Sequence, residues 1–208
     1  MAKKIQLLFN SPIVLLTSLI SIGIFVLQNT TMPQIVDIAF SSNTTQMTEH
    51  AFDVLNPLHY IRLFTLIFGH TSMQSLCLNV AIIILLGERI EERFGSLLLI
   101  VMFAITSFVA GIFSAIFLQT PICGLDGIAF LFLMLTLFEY ASLKSIPFSH
   151  CLLVGLFLAN SIVFSIQKGV IGILFLFTGA FFSSLFGYLD YVAKKNKPRK
   201  KTKTQTHS

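Results

Sequence analysis

Apolar residues fill the chain in long runs separated by short polar stretches, near 11 to 28, 75 to 87, 97 to 118, 125 to 143, 148 to 166 and 169 to 191. A helix needs ~20 such residues to cross a ~30 Å hydrocarbon core at ~1.5 Å per residue. The second run approaches that length if its helix starts at 71 and continues to 88. The fourth is also tight, and both call for protein neighbours. No segment shows the alternating ten-residue pattern of a membrane barrel. The pattern predicts an all-α membrane protein whose six spans lie at 11–28, 71–88, 97–118, 125–143, 148–166 and 169–191, within a membrane domain over 1–193.

The first run follows Lys3 and Lys4, as a signal peptide would, but it is too long and lacks a small-residue cleavage site after Gln28, so it reads as a retained span. Basic residues then set the orientation. With both termini cytoplasmic, Lys3, Lys4, Arg89, Arg93, Lys144 and the C-terminal cluster fall inside. Only Arg62 and Lys168 fall outside, so twelve of the fourteen basic residues obey the rule. A bacterial inner membrane fits this pattern.

Residues 29–70 form one large outward loop, polar at first and apolar from Leu55 to Phe68. Its second half predicts short interfacial or re-entrant structure, because Leu58, Tyr60, Leu63, Phe64 and Phe68 would otherwise face water. Asn29-Thr30-Thr31 and Asn43-Thr44-Thr45 match the glycosylation pattern, which carries little weight in a loop rich in Asn and Thr. Residues 194–208 lack apolar periodicity, are densely basic and read as a disordered cytoplasmic tail that touches anionic lipid.

Composition sharpens this picture. Of 208 residues 55% are hydrophobic and 11% charged, with a mean hydropathy of +0.85, which excludes a soluble enzyme on an anchor. The net charge of +5 does not indicate nucleic acid, because seven of the fourteen basic residues lie in the tail. Cys77, Cys123 and Cys151 lie in or beside apolar runs, as small hydrophobes do, and suggest no disulfide framework. No metal or cofactor is expected.

Ionisable groups inside spans cost about 2.5 to 3.5 kcal/mol each on insertion scales, so each needs a reason. Asp126, between Gly124 and Gly127 at the start of the fourth span, predicts either a helix N-cap or a residue of a wet cavity. Glu139 and Asp190 lie near span boundaries, within reach of headgroups or basic residues. Ser75 and Asn79, spaced i and i+4, share one helix face and read as packing glue. Gly179, Ser183 and Gly187 form a small-residue seam whose expected partner, through Gly124 and Gly127, is the fourth span.

Arg62, Phe64-Thr65, His70, Asn79, Gly87, Glu91-Glu92-Arg93-Phe94-Gly95-Ser96, the Gly-x-x-Gly turn at 124 to 127 and the last-span seam together resemble the rhomboid family of intramembrane serine proteases in its six-span bacterial form. The resemblance runs from about Asn56 to Asp190. It implies a cavity open to the outside, a serine nucleophile at the start of the fourth span, a histidine base on the sixth, a His and an Asn on the second span supporting the oxyanion, and a first loop embedded in the outer leaflet. Carried over, the nucleophile position is Asp126, the base position Leu176 and the oxyanion histidine position Ser75; only Asn79 is retained. The framework positions Arg62, Glu91, Arg93 and Gly95 match the family.

With no Gly-x-Ser motif and no histidine on the sixth span, serine attack lacks its activated hydroxyl and base. The expectation is a pseudoprotease that binds or escorts client transmembrane proteins, with Asp126, Asn79, His70, Gly124 and Gly127 as cavity or client-binding candidates. One alternative is an altered enzyme, either an aspartyl pair joining Asp126 to Asp37, Asp53 or Asp190, or a thiol at Cys123 served by His70. The other is a purely structural membrane subunit.

Overall fold

The computed structural model describes residues 10–42, 52–118, 121–168 and 171–196, and among them every regular element is helical. The elements are α1 (Pro12–Thr30), α2 (Ile35–Ala39), α3 (Pro57–Thr65) with a 3-10 turn at Leu66–Phe68, α4 (Met73–Phe94), α5 (Ser96–Phe117), α6 (Asp126–Ser142), α7 (Phe148–Lys168) and α8 (Ile171–Asn196). Lys3, Lys4, His50, the Asn43 acceptor and the tail beyond Asn196 lie outside the described residues.

Five helices, α1, α4, α5, α7 and α8, are long and apolar enough to cross a membrane. They turn large apolar side chains outward, among them Leu19, Leu85, Leu97, Ile166 and Phe177, each at least 65% exposed. In water those faces would drive aggregation; in a bilayer they meet their own solvent. The chain is an integral, multi-pass membrane protein built as an all-α bundle.

The sixth helix of the bundle, α6, has 17 residues and spans only ~25 Å. It sits at the centre, touched by α4, α5, α7 and α8, with Gly127 to Leu133 buried without interruption. A short apolar run is therefore surrounded by protein. Its tightest neighbour is α8, which approaches at Gly179. A Cβ on Gly179 would lie 2.7 Å from the Gly127 carbonyl oxygen and 3.0 Å from Phe130 Cβ. Ser183 is fully buried along the same face, whereas Gly187 leaves room beside Leu135 and Phe138. Gly127 belongs to this seam; Gly124 does not, since it lies before α6 and faces Gly69 and Asp126.

Helix boundaries extend past the apolar runs where polar residues find partners. At one end α4 continues past residue 88 to Phe94 because Glu91 turns inward. Its carboxylate accepts the backbone N–H groups of Ile13 and Val14, both at 3.1 Å, and the Ser96 hydroxyl at 2.6 Å. Glu91 thus satisfies the free N–H groups that open α1 and compensates the positive end of that helix. In the same way α8 continues through Lys194 and Lys195 to Asn196, so the expectation of an irregular tail is corrected for residues 194–196, which are helical.

The long loop is more structured than its polar first half suggests. Arg62 on α3 donates through Nε to the Ser41 carbonyl at 3.1 Å and also reaches the Asp37 carbonyl, while the Thr65 hydroxyl donates to the Ala39 carbonyl at 2.6 Å. These bonds tie α2 to α3. Leu63 is buried against α5 and the half-exposed Phe64 stacks on Phe108 of the same helix, while Leu58 remains exposed. Cys77 and Cys151 are exposed on outward helix faces, so the small-hydrophobe reading holds for their setting in apolar helices but not for burial.

Candidate functional site

The segment before α6 is fixed from several sides. Ser42 and Ile122 exchange hydrogen bonds, Ser42 N–H to the Ile122 carbonyl and Ile122 N–H to Ser42 Oγ, both at 2.9 Å. Ser42 Oγ also meets Ser114 Oγ of α5 at 2.7 Å. Gly124 N–H donates to the Leu66 carbonyl at 2.9 Å, and Leu125 N–H to His70 Nε2 at 3.4 Å. Gly124 has φ +127°, and a Cβ there would lie 2.6 Å from Asp126 Oδ2, so a side chain at 124 would collide with the carboxylate.

Asp126 is the first residue of α6, not its N-cap; the cap position is Leu125, and no side chain caps the helix. The cap expectation is therefore corrected. Placed one residue into the helix, the carboxylate turns toward α4. There the Ser72 hydroxyl caps α4 by accepting Ser75 N–H at 3.2 Å, which sets Ser75 and Asn79 on the face that meets α6. Ser75 Oγ donates to Asp126 Oδ2 at 3.4 Å and accepts from Asn79 Nδ2 at 3.2 Å. Asn79 is fully buried and its Oδ1 has no partner. The Ser75–Asn79 pair is thus a relay to the carboxylate, and the glue reading describes only half of its role.

Asp126 is half-buried and borders a cavity of about 120 Å³ between α4, α6, α7 and α8. The polar Thr71, Ser72, Gln74, Ser75 and Asn160 and the apolar Val163, Phe164 and Phe175 all line it. It has room for several waters. Gln74 Nε2 donates to Asn160 Oδ1 at 3.1 Å, linking α4 to α7 across it. Asn160 and Ser161 went unnoticed in the sequence. Their signal was two adjacent polar residues in the middle of an apolar run.

His70 does not line this cavity. It is 1% exposed, packed behind the loop it supports. Accepting Leu125 N–H at Nε2 places its proton on Nδ1, which has no well-formed partner. Burial pushes its pKa from 6.5 down to about 4, so the ring is neutral. Its place among the cavity candidates is corrected to a support for the 124–125 turn. Leu176, partly buried, packs against the apolar cluster of Ile82, Ala129, Phe130 and Phe157. His150 is also buried, its Nε2 3.0 Å from the Leu133 carbonyl.

The altered-enzyme arrangements lack their second group. Asp37 and Asp53 do not line the cavity; the Asp37 carbonyl serves Arg62, and Asp53 N–H donates to His59 Nδ1 at 2.8 Å. Asp190 pairs with Arg93 and Lys194. Cys123 does line the cavity, but burial and the neighbouring Asp126 push its thiol up to about 12, the reverse of an activated nucleophile. Among the described residues no three His, Cys, Asp or Glu side chains converge as a metal site.

The framework residues lie apart from the cavity. Glu139 and Asp190 bridge to the basic residues of α4 at the far end of the bundle: Arg89 meets Glu139 at 2.6 Å, Arg93 meets Glu139 at 3.2 Å and also Asp190, and Lys194 meets Asp190 at 2.8 Å. Gly95 closes α4 beside them.

Among curated proteins no sequence matches this chain. A family model does, the rhomboid domain, over residues 57–192, nearly two thirds of the chain and the region that holds α3 to α8. The chain belongs to the rhomboid family.

Proposed function

We propose that this protein is a catalytically inactive rhomboid that binds, holds or escorts client transmembrane proteins instead of cleaving them. One observation carries the reading. Where the family resemblance puts a serine nucleophile stands Asp126, hydrogen-bonded to Ser75, and where it puts the histidine base stands Leu176, packed against an apolar cluster. Among the described residues no histidine lines the cavity. Acyl transfer needs a nucleophile with a base in reach, and the described residues around the cavity supply no such pair. The cavity, with its acid, its hydroxyls and Asn79 behind them, remains as a recognition site, to which Gly124 and Gly127 contribute by letting backbone approach.

The basic residues support an orientation with both termini cytoplasmic and the Asp126 cavity on the outer side, in a bacterial inner membrane. The domain over 1–193 then continues into a basic cytoplasmic extension. A second reading, a protease of altered chemistry, draws on the Ser75–Asp126 hydrogen bond. A carboxylate is a far weaker base toward an alcohol than an imidazole, which disfavours it.

The test is reconstitution of the purified chain in liposomes with a panel of single-span rhomboid-type substrates, read by mass spectrometry for cleaved and for co-purified intact client. Intact client retained without cleavage, and weakened capture by Asp126→Asn, is the expected result. Cleavage lost in Asp126→Asn or Ser75→Ala would instead make the protein an active protease. Neither capture nor cleavage would leave a structural subunit.

A further inference from the structure

We infer that the Asp126 cavity is a receptor for one organic cation, the ammonium or guanidinium end of a Lys or Arg side chain in a client's membrane segment. The inference rests on reading the cavity as a client site and names what that site recognises. Among the described residues Asp126 is the only charged one lining the cavity, and none of the described Lys, Arg or His side chains borders it. Among the described residues Asp126 forms no ion pair, although Glu139 and Asp190 both do. The positive end of α6 offsets only about half a charge, so one full carboxylate leaves the site negative.

The rest of the lining suits a cation with an apolar stem. Around the carboxylate lie oxygen acceptors, the Ser75 hydroxyl and the amide of Asn160, and behind Ser75 the buried Asn79 Oδ1 has no donor. Val163, Phe164 and Phe175 add apolar lining that accepts methylene groups, and an aromatic ring in such a lining attracts a cation. A small hydrated metal ion gains nothing from that apolar lining. A Lys or Arg side chain uses both kinds of lining. A volume of about 120 Å³ accommodates one such head group and not a bulky second one. For the client the gain is large, because a basic residue inside a bilayer is costly without a counter-charge.

The test uses small probes on the full-length chain in nanodiscs. n-Butylguanidinium and n-butylammonium chloride are titrated at constant ionic strength while thermal unfolding is followed, against n-butanol, butyrate and sodium chloride. The two organic cations are expected to raise the unfolding temperature saturably, and the other three not to. Apparent affinity is expected to fall at least tenfold in Asp126→Asn and about threefold in Phe164→Leu, which keeps the carboxylate and removes one ring. No cation-selective shift, an equal shift with sodium, or an unchanged affinity in Asp126→Asn would each overturn the inference. If Asp126→Asn does not fold, the wild-type comparison of cations with butanol and sodium decides alone. Because the probes are not peptides, client cleavage in liposomes would refute the pseudoprotease reading without touching this result, and a null titration would leave client capture to its own experiment.

Discussion

Two ends of the same bundle treat acidic side chains in opposite ways. At the end where α4 closes, Glu139 and Asp190 each face two basic groups drawn from Arg89, Arg93 and Lys194, and buried Glu91 accepts three hydrogen bonds. At the end where α6 begins, Asp126 meets only neutral donors, Ser75 at 3.4 Å together with Asn79 and its own backbone N–H, and an open cavity lies beside it. The first arrangement holds helices together, since each acid there joins two elements. The second supplies hydrogen bonds but no counter-charge among the described residues, and an unpaired acid in a membrane protein costs stability unless something else completes it. The contrast separates framework from site within one protein.

The largest effect should come from the closed end. Glu91→Ala orphans the Ile13 and Val14 N–H groups and the Ser96 hydroxyl, and is expected to cost about 2–4 kcal/mol, read by thermal or denaturant unfolding in micelles. An unchanged midpoint would remove the framework role assigned to this end.

At the cavity end the main stability term is a histidine, not the acid. His70 has its pKa lowered to about 4 against 6.5 unfolded, so below pH 6.5 the unfolded chain binds a proton that the folded chain refuses. Stability is full above 6.5, declines as pH falls toward 4 and levels off below, a change of about 3 kcal/mol. His70→Gln, which keeps an acceptor for Leu125 N–H, is expected to flatten that slope. A slope identical to wild type would place the titration elsewhere.

Asp190→Asn leaves Arg93 and Lys194 sharing a weaker acceptor and is expected to cost about 1–2 kcal/mol, discounted because the pair is partly open to solvent. The matched change Asp126→Asn is expected to shift stability by less than about 1 kcal/mol in either direction while lowering cation affinity at least tenfold and weakening client capture. If Asp126→Asn proved as destabilising as Asp190→Asn, the two ends would be alike and Asp126 would be framework.

How far these roles were legible in the sequence depends on the distance over which each is decided. The membrane class and helical spans follow from run length and hydropathy, which act through the solvent and need no partner. The Gly179 seam against α6 was legible for a related reason: small residues at four-residue spacing admit only a close helix, and the shortest span was the one most in need of cover. Membership of the rhomboid family was legible in the spacing from Arg62 to Gly127. By contrast His70 and Gly124 shared a motif with Asp126 yet face different surroundings, because a loop fixed by Ser42, Leu66 and His70 turns between them.

The sequence by itself determined the solvent, the number and rough length of the helices and the family, since these are set by local composition and by spacing within single segments. Only the tertiary structure decided that Asp126 opens α6 without capping it, that α7 brings Asn160 and Phe164 to it, and that Glu139 and Asp190 are paired while Asp126 is not. Those facts depend on which faces of α4, α6, α7 and α8 meet, and a side chain's partner across 51 or 97 residues is fixed by packing, not by the pattern of its own helix.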